Sequence, residues 1–529
     1  MSETKYRIMT IAAKKDKNQS LYKYLLDGNN NICEYETKAA VDEKVETMLN
    51  EEDYIKSNVI VINELDFKVY SDIAGKQIGT EDTDEGSNGD PDEGIDGQEK
   101  PLYSFAAVSD VHVYLPDDDW GNASEDLKKL YVQAEAYGAD FIACSGDLTY
   151  ENTADELNNF KNILAGTNSS IPFYTCKGNH DNMGDNWSAE EWKEFTGCDE
   201  NFIVKKDEDV FIFLSLSEAS VEHGITDEAV AWLYDQLEEN KNKRCFIFVH
   251  APFENTCGDP NNLYYNSIFT TTSGNNQKLW FLANKYANTF WFNGHTHVQL
   301  SCVDLDSSSN IYWKPNMGKM IHVPALAVPR GDDDGNGVLD NYNENGEYYF
   351  VDVYKDKIIL KGRDVVNDKY IEEARYVIKT KLKEYETSDD LYTFNTINCK
   401  AYNNAVITGI DEIRMDAPGG TVSENTYISV PTGKELYAKC DGITLSTGDT
   451  DLSKLAFTFT FYTDETRETE LGSVSDYNCY LDETKLVCAN GYIPDETCKY
   501  MKITFKSSSS YAGEVPVTAK IDNFRIYAK

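Results

Sequence analysis

Five short stretches hold the residue types from which metal sites are made: DVH at 110–112, GDLT at 146–149, GNHD at 178–181, a lone His250 and GHTH at 294–297. Carboxylate and amide oxygens mixed with imidazole nitrogens, with no thiolate, suit Mn, Fe, Zn or a mixed pair better than a structural zinc site. Asp110, His112, Asp147, Asn179, His250, His295 and His297 are too many donors for one ion. Two divalent ions roughly 3.5–4 Å apart, sharing one bridging carboxylate, would use most of them and form the clamp of two-metal phosphoester cleavage.

Almost every stretch closes an apolar run: SFAAVS before Asp110, FIACSG before Asp147, PFYTCKG before Asn179, RCFIFV before His250 and TFWFNG before His295. Such runs read as strands buried on both faces. Helical segments separate them, one around Ser124–Tyr137 and one opened by Thr226 with Asp227 and Glu228 in its first turn, which predicts layered α/β architecture. Loops at strand ends converge on one crevice, so the donors should meet there. Gly146, Gly178 and Gly294 are expected to let the backbone turn sharply and aim the next side chain at the ions. All seven histidines and all seven tryptophans lie between residues 112 and 322. The twelve cysteines contain no CxxC pair, and Cys144 and Cys176 sit in apolar runs that read as core.

The flanks carry no comparable chemistry. Residues 1–75 read as a small α/β domain, with YRIMTIA and NVIVINELDFKVY as strands and Val41–Leu49 as a helix. Residues 76–100 hold an acidic, almost purely polar linker. The chemistry-bearing domain is expected over 101–388. Residues 389–529 show short β-rich runs between Gly, Ser, Asn and Asp turns, predicting a β-sandwich with an accessory or carbohydrate-binding role.

A chain of 529 residues needs several cores, and 41% hydrophobic content supports folded domains. The formal net charge of −42 repels phosphate backbones and anionic membranes, so a nucleic-acid polymer is an unsuitable partner. Small phosphates stay open, because a bound metal inverts the local sign. The segment MSETKYRIMTIAAKKDKNQS lacks the layout of a secretory signal, and no run approaches a membrane span. A protein without membrane insertion is expected, either cytoplasmic or a virion or tail component.

In this order, the five stretches resemble the calcineurin-like metallophosphoesterase superfamily, over residues 101–380. The resemblance implies a four-layer αββα sandwich and a phosphoester hydrolase working through a hydroxide that bridges the two ions. It further implies that Asp110, His112 and His297 hold the first ion, Asp147 bridges, and Asn179, His250 and His295 hold the second. His180 would stand near the leaving-group oxygen as proton donor, steered by Asp181. Many family members continue GDxx with a further Asp, whereas this chain has Tyr150, so the support of Asp147 is expected to differ.

Substrate contacts are less legible. Arg330 could pair with a phosphate, and Tyr264, Tyr265, Trp187 and Trp120 lie in loops near motif ends where aromatic faces could cover a base, sugar or aglycone. Asp332, Asp334, Asn336 and Asp340 stand at EF-hand-like offsets and make a candidate calcium loop, although offset 12 is Asn343. His322 is expected near the site by resemblance and His223 in a loop. The first expectation is a phosphodiesterase acting on a diester or small organic phosphate. The alternative is a phage-tail-like or cell-surface modular protein, cleaving a cell-envelope phosphopolymer such as teichoic acid and holding glycans through its β-sandwich.

Overall fold

A computed structural model describes residues 100–115, 120–185, 187–258, 268–302 without 273, 310–331 without 315, and 341–385 without 343 and 344, together with separate strands and turns within 6–72 and 392–528. Contacts divide the chain into two compact units: residues 1–224, 243–269 and 287–383 in one, and 225–242, 270–286 and 384–529 in the other.

In the first unit, β1 (Tyr6–Asp16), β2 (Gln19–Tyr24), β3 (Glu34–Tyr35), β4 (Val59–Asn63) and β5 (Lys68–Asp72) make one antiparallel sheet. The run NVIVINELDFKVY therefore holds two paired strands and not one, since Ile62 pairs with Val69 and Asn63 with Lys68. Thirteen residues exceed the usual strand of about 5–6, and Asn63 and Asp66 are turn formers. The helix expected at 41–49 and the linker at 76–99 lie outside the described residues.

Two six-stranded sheets carry the chemistry. β6 (Tyr103–Val108), β7 (Ile142–Cys144) and β8 (Phe173–Thr175) run parallel. The second sheet holds β9 (Asn201–Lys206), β10 (Asp209–Leu214), β11 (Cys245–Val249), β12 (Thr289–Asn293), β13 (Ile311–Tyr312) and β14 (Lys319–His322) in the order β13-β14-β12-β11-β10-β9. Within it β10, β11, β12 and β14 are parallel. A short pair, β15 (Arg330–Gly331) and β16 (Asn341–Tyr342), follows. Then β17 (Glu347–Val353) pairs antiparallel with β6, β18 (Lys357–Asp364) with β17 and β19 (Lys369–Lys379) with β18, completing the first sheet as β19-β18-β17-β6-β7-β8.

The period of two sorts the side chains of β6. Tyr103, Phe105 and Ala107 enter a core shared with Phe211, Phe246, Phe248 and Phe292 of the second sheet, while Ala106 and Val108 face α1 (Ala123–Tyr137) and α2 (Ala154–Thr167). Phe105 stacks on Phe141 with centroids 5.1 Å apart and meets Phe211 edge-on at 5.3 Å. This packing fixes the C-terminal ends of β6, β7, β11 and β12, from which the donor loops spring. The fold is mixed α/β with several sheets, as the alternation of runs requires.

The second unit, taken by itself, contains the helix Asp227–Asn240, capped as expected by Thr226, whose hydroxyl accepts the Ala229 N–H. It also contains the helix Gly274–Lys285 and strands between Tyr392 and Ala528 in sheets of five, six and four strands. Ile413, Met415, Val422, Phe461, Met501, Phe505, Phe524 and Ile526 form its core.

Candidate metal centre

The loops after β6, β7, β8, β11 and β12 bring the seven predicted donors into one buried cup. On one side, Asp110 Oδ1 lies 3.2 Å from His297 Nε2 and 3.8 Å from His112 Nε2, and the two imidazole nitrogens are 3.1 Å apart. On the other, His250 Nε2 lies 2.8 Å from Asn179 Oδ1, 3.0 Å from His295 Nδ1 and 3.2 Å from Asp147 Oδ2. Asp147 Oδ2 also stands 3.8 Å from His112 Nε2, so this carboxylate faces both cradles.

Two residues of the same carboxyl pair lock the backbone that bears the other donors. Asp110 Oδ2 accepts the N–H of His295 at 2.8 Å, and Asp147 Oδ1 accepts the N–H of His180 at 2.8 Å. The close fit explains two of the glycines better than turn-making does. A Cβ on Gly294 would fall 1.8 Å from Ser109 Oγ and 2.5 Å from Asp110 Oδ2, and one on Gly178 would fall 2.1 Å from Asp147 Oδ1. Of the three, only Gly146 has a positive φ, +103°.

Positive φ falls instead on the donors: Asp110 at 51°, His112 at 48°, Asp147 at 54°, His295 at 73° and His297 at 59°. Each costs about 1 kcal/mol or more, and persists only where surrounding structure imposes it. Five such residues in one cup mark a site held in shape for binding.

Main-chain carbonyls fix the tautomers. A carbonyl can only accept, so His250 donates Nδ1–H to Ser145 O at 3.1 Å and His297 donates Nδ1–H to Val328 O at 3.2 Å. With Nδ1–H engaged in this way, each ring turns Nε2 inward, the atom that would meet a metal. His180 likewise gives Nδ1–H to Tyr150 O, which leaves Nε2 as its free ring nitrogen.

Electrostatics follow the same division. Burial alone would lower His250, but the facing Asp147 carboxylate raises it to about 9. Burial would also lower His297, and Asp110 raises it. Burial holds His112 and His295 down at about 3, neutral at any ordinary pH. Burial would raise Asp110 and Asp147, yet the imidazoles around them hold both below the usual carboxylate range.

The donors fit divalent cations. Asp110 Oδ1 is fully buried, and the Nε2 atoms of His297 and His112 converge on it at 3.2 and 3.8 Å. Asp110, His112 and His297 form one group whose ligand atoms lie within 4.8 Å of one another, and Asp147, His250 and His295 form another. His112, Asp147 and His180 make a third such group, placing His180 at the rim of the cup.

The structure gives Asp181 a different task from steering His180. Its carboxylate accepts the backbone N–H groups of Gly178 at 2.8 Å, Leu148 at 2.9 Å and Thr149 at 3.1 Å, tying the GDLT and GNHD loops together. Burial and the nearby Asp147 raise it to about 6 against those donors. The carbonyls of Ser145, Tyr150 and Val328 were not foreseen, since every residue carries one and no side-chain type announces them.

Other expected contacts are ordinary. Arg330 is buried and bound into the GHTH loop, its N–H on His297 O at 2.6 Å and its Nη1 3.5 Å from Thr296 O. Trp187 packs against Phe195 and donates to Asn152 O. His322 is buried and donates Nε2–H to Val298 O at 2.8 Å, one residue past His297. His223 is exposed. Tyr264, Tyr265, Asp332, Asp334, Asn336, Asp340 and the Trp120 side chain lie outside the described residues. Cys144 and Cys176 are buried free thiols.

Residues 103–299 match the family model described as calcineurin-like phosphoesterase. This segment belongs to that family. A probable glycerophosphodiester phosphodiesterase GpdQ of Arcobacter nitrofigilis is 30% identical over 155 residues, covering 27% of this chain and 55% of that protein. The chain thus spans about half the length of the curated relative it matches. Among solved structures, the purple acid phosphatase PPD1 of yellow lupin (Lupinus luteus) seeds is 12% identical with TM-score 0.34, covering 53% of this chain and 54% of that one. A structure of PhoD is 10% identical with TM-score 0.32, covering 73% and 87%. Among the described residues, no helix is long and apolar enough to cross a membrane.

Proposed function

We propose that the chain is a dinuclear metal-dependent phosphoesterase, acting first on phosphodiesters. The observation that carries this reading is the pair of buried cradles sharing Asp147. Asp110, His112 and His297 would hold one divalent ion, Asn179, His250 and His295 the other, and Asp147 both. The ions, Mn, Fe or Zn, would supply Lewis acidity and a water acidified toward neutral pH.

The chain's own groups do the rest. Nδ1–H bonds to main-chain carbonyls keep His250 and His297 turned inward. Asp181 holds the two loops in register, so that Asp147 keeps its place between the cradles. His180, anchored by Tyr150 O, presents Nε2 at the rim and gives its proton to the departing ester oxygen, a step typically contributing about 10²–10⁴ in rate. Arg330, whose backbone bridges Val298, is the basic side chain this reading assigns to phosphate, and it would have to leave its buried place in the GHTH loop to reach one. The described strands also support the finer architecture proposed here: an αββα sandwich around the core shared by the two sheets, and a β-sandwich at the C-terminus.

The test is metal stripping and reloading with Mn, Fe or Zn, followed by hydrolysis of bis(4-nitrophenyl) phosphate. Two bound ions per chain and activity only in the loaded protein are expected. His180→Ala should slow alkyl esters far more than nitrophenyl esters, whose leaving group departs without a proton. Activity in stripped protein, or equal loss on both ester types, overturns the assignment.

The tail-like alternative, with a teichoic-acid-type polymer as substrate and glycan binding by residues 389–529, would show as release of phosphate esters from cell-envelope polymer and retention of the chain on cell walls.

A further inference from the structure

We propose that Tyr150 and Tyr114 form a platform beside the cup that selects esters bearing a small planar aromatic group; this rests on the phosphoesterase reading and names its substrate class. Tyr150 stands where GDLT ends. Its ring centroid lies 5.5 Å from that of His180 with the planes tilted 31°, and 6.0 Å from that of His112. Tyr114 meets Tyr150 edge-on at 5.3 Å and 79°. Both tyrosines are half-buried.

The platform is built rigidly. Val113 bridges Thr149 in parallel, and Tyr150 donates its N–H to Val113 O at 3.2 Å, which sets the two tyrosines side by side beyond the ends of β6 and β7. Asn159 Nδ2 donates to Tyr114 O at 2.7 Å. The next turn is held by Glu156, which accepts the Glu151 N–H at 3.0 Å, and by Asn152, whose Nδ2 reaches Met183 O at 3.1 Å and Asp185 O at 2.9 Å. Aromatic rings fixed in this way lose little entropy on binding a ligand.

Position decides what the rings touch. The ligand atoms of His180, His112 and Asp147 lie within 4.8 Å of one another, so a phosphoryl group in the cup places an ester oxygen beside His180 and leads its carbon substituent over Tyr150. The tilted Tyr150 and His180 rings offer aromatic faces on which a third planar ring can pack. An ammonium cage needs walls around the cation, whereas the two tyrosines meet edge-on and, among the described residues, form a corner. The net charge of −42 keeps the partner small, an aryl or nucleobase ester and not a polymer.

The test uses the full chain loaded with manganese and calorimetric binding of phenylphosphonate and methylphosphonate. Wild type should bind the phenyl compound about tenfold tighter or more, as one stacked ring allows. Tyr150→Leu and Tyr114→Leu, each shown folded by circular dichroism, should bring that ratio below about threefold, whereas Tyr150→Phe, which keeps the ring, should preserve it. A ratio near one in wild type, a ratio unmoved by both leucine variants, or tighter binding of phosphocholine than of phenylphosphonate overturns the platform. If wild type hydrolyses bis(4-nitrophenyl) phosphate and yet shows no phenyl preference, the platform alone falls. If it neither hydrolyses the ester nor binds either phosphonate, the phosphoesterase reading falls with it.

Discussion

Two buried clusters of charge in the same unit are built on opposite rules. At the N-terminal ends of the strands, Asp209 receives Arg244 Nε at 2.8 Å, Arg244 Nη2 at 2.6 Å and the Tyr103 hydroxyl at 2.6 Å, and Arg244 Nη1 donates to Tyr354 O. Asp352 is matched in the same manner by Ser104, Tyr137 and Lys361. Every carboxylate oxygen there meets at least one donor. In the cup at the other strand ends, carboxylates and imidazoles crowd together with no fixed cation among them, and the backbone is held at positive φ to keep them so. Burial is equally complete in both. What separates a structural cluster from a binding one is therefore donor–acceptor balance: a surplus of converging acceptors is stable only with a cation added.

The largest test of that contrast is Asp147→Asn. Removing the one carboxylate that faces both cradles should lower kcat/KM about 10⁴-fold, several kcal/mol of transition-state charge stabilisation. Thermal unfolding of the metal-stripped variant should be no worse than that of stripped wild type, because Asn still accepts the His180 N–H. Loaded wild type should gain about 2.7 kcal/mol with metal at one hundred times its Kd, and the variant much less. A variant that unfolds earlier when stripped would show the cup to be a structural cluster after all.

Arg244→Met should give the converse result. It leaves Asp209 buried without its cation, which costs about 3–5 kcal/mol of stability, read as a lower denaturation midpoint. The folded fraction should turn over as wild type does. Adding Asp209→Leu should recover most of the loss, because the unpaired charge and not the missing side chain is the penalty. Failure of the double variant to recover would place the cost in packing.

Much of the cup was legible because its donors are side chains set at the ends of apolar runs, and an α/β sheet gathers such ends. DVH, GDLT, GNHD, His250 and GHTH could be collected without coordinates for that reason. What escaped was carried by the backbone or by distance along the chain. Nothing in the residue types foretells that Tyr150 O anchors His180, that Asp181 clamps two loops through main-chain N–H groups, or that Gly178 and Gly294 are small because a carboxylate presses on them. Period and propensity are local, so the return of β17–β19 to the sheet begun by β6, more than two hundred residues earlier, was also unreadable. The N-terminal strand pair was misread as one strand because both members share one apolar pattern.

Glu347 offers the smallest test and the sharpest, since it belongs to neither class of cluster. It is buried, and its carboxyl accepts the Leu300 N–H at 2.7 Å with no cation beside it among its described contacts. Burial raises its pKa to about 8 against that single hydrogen bond, with Asp364 adding to the rise. The unfolded chain releases this proton near the ordinary value of about 4.3. Between those two pH values the folded state binds more protons than the unfolded state, so stability falls as pH rises from about 4.3 to about 8 and is unaffected by this group outside that window. Glu347→Gln keeps an acceptor for Leu300 and removes the titration. Its unfolding temperature should match wild type at pH 4 and exceed it by a few degrees at pH 8. A difference that does not change with pH would mean that a donor reaches Glu347 in solution, and that a buried acid in this domain is always either paired or part of the cup.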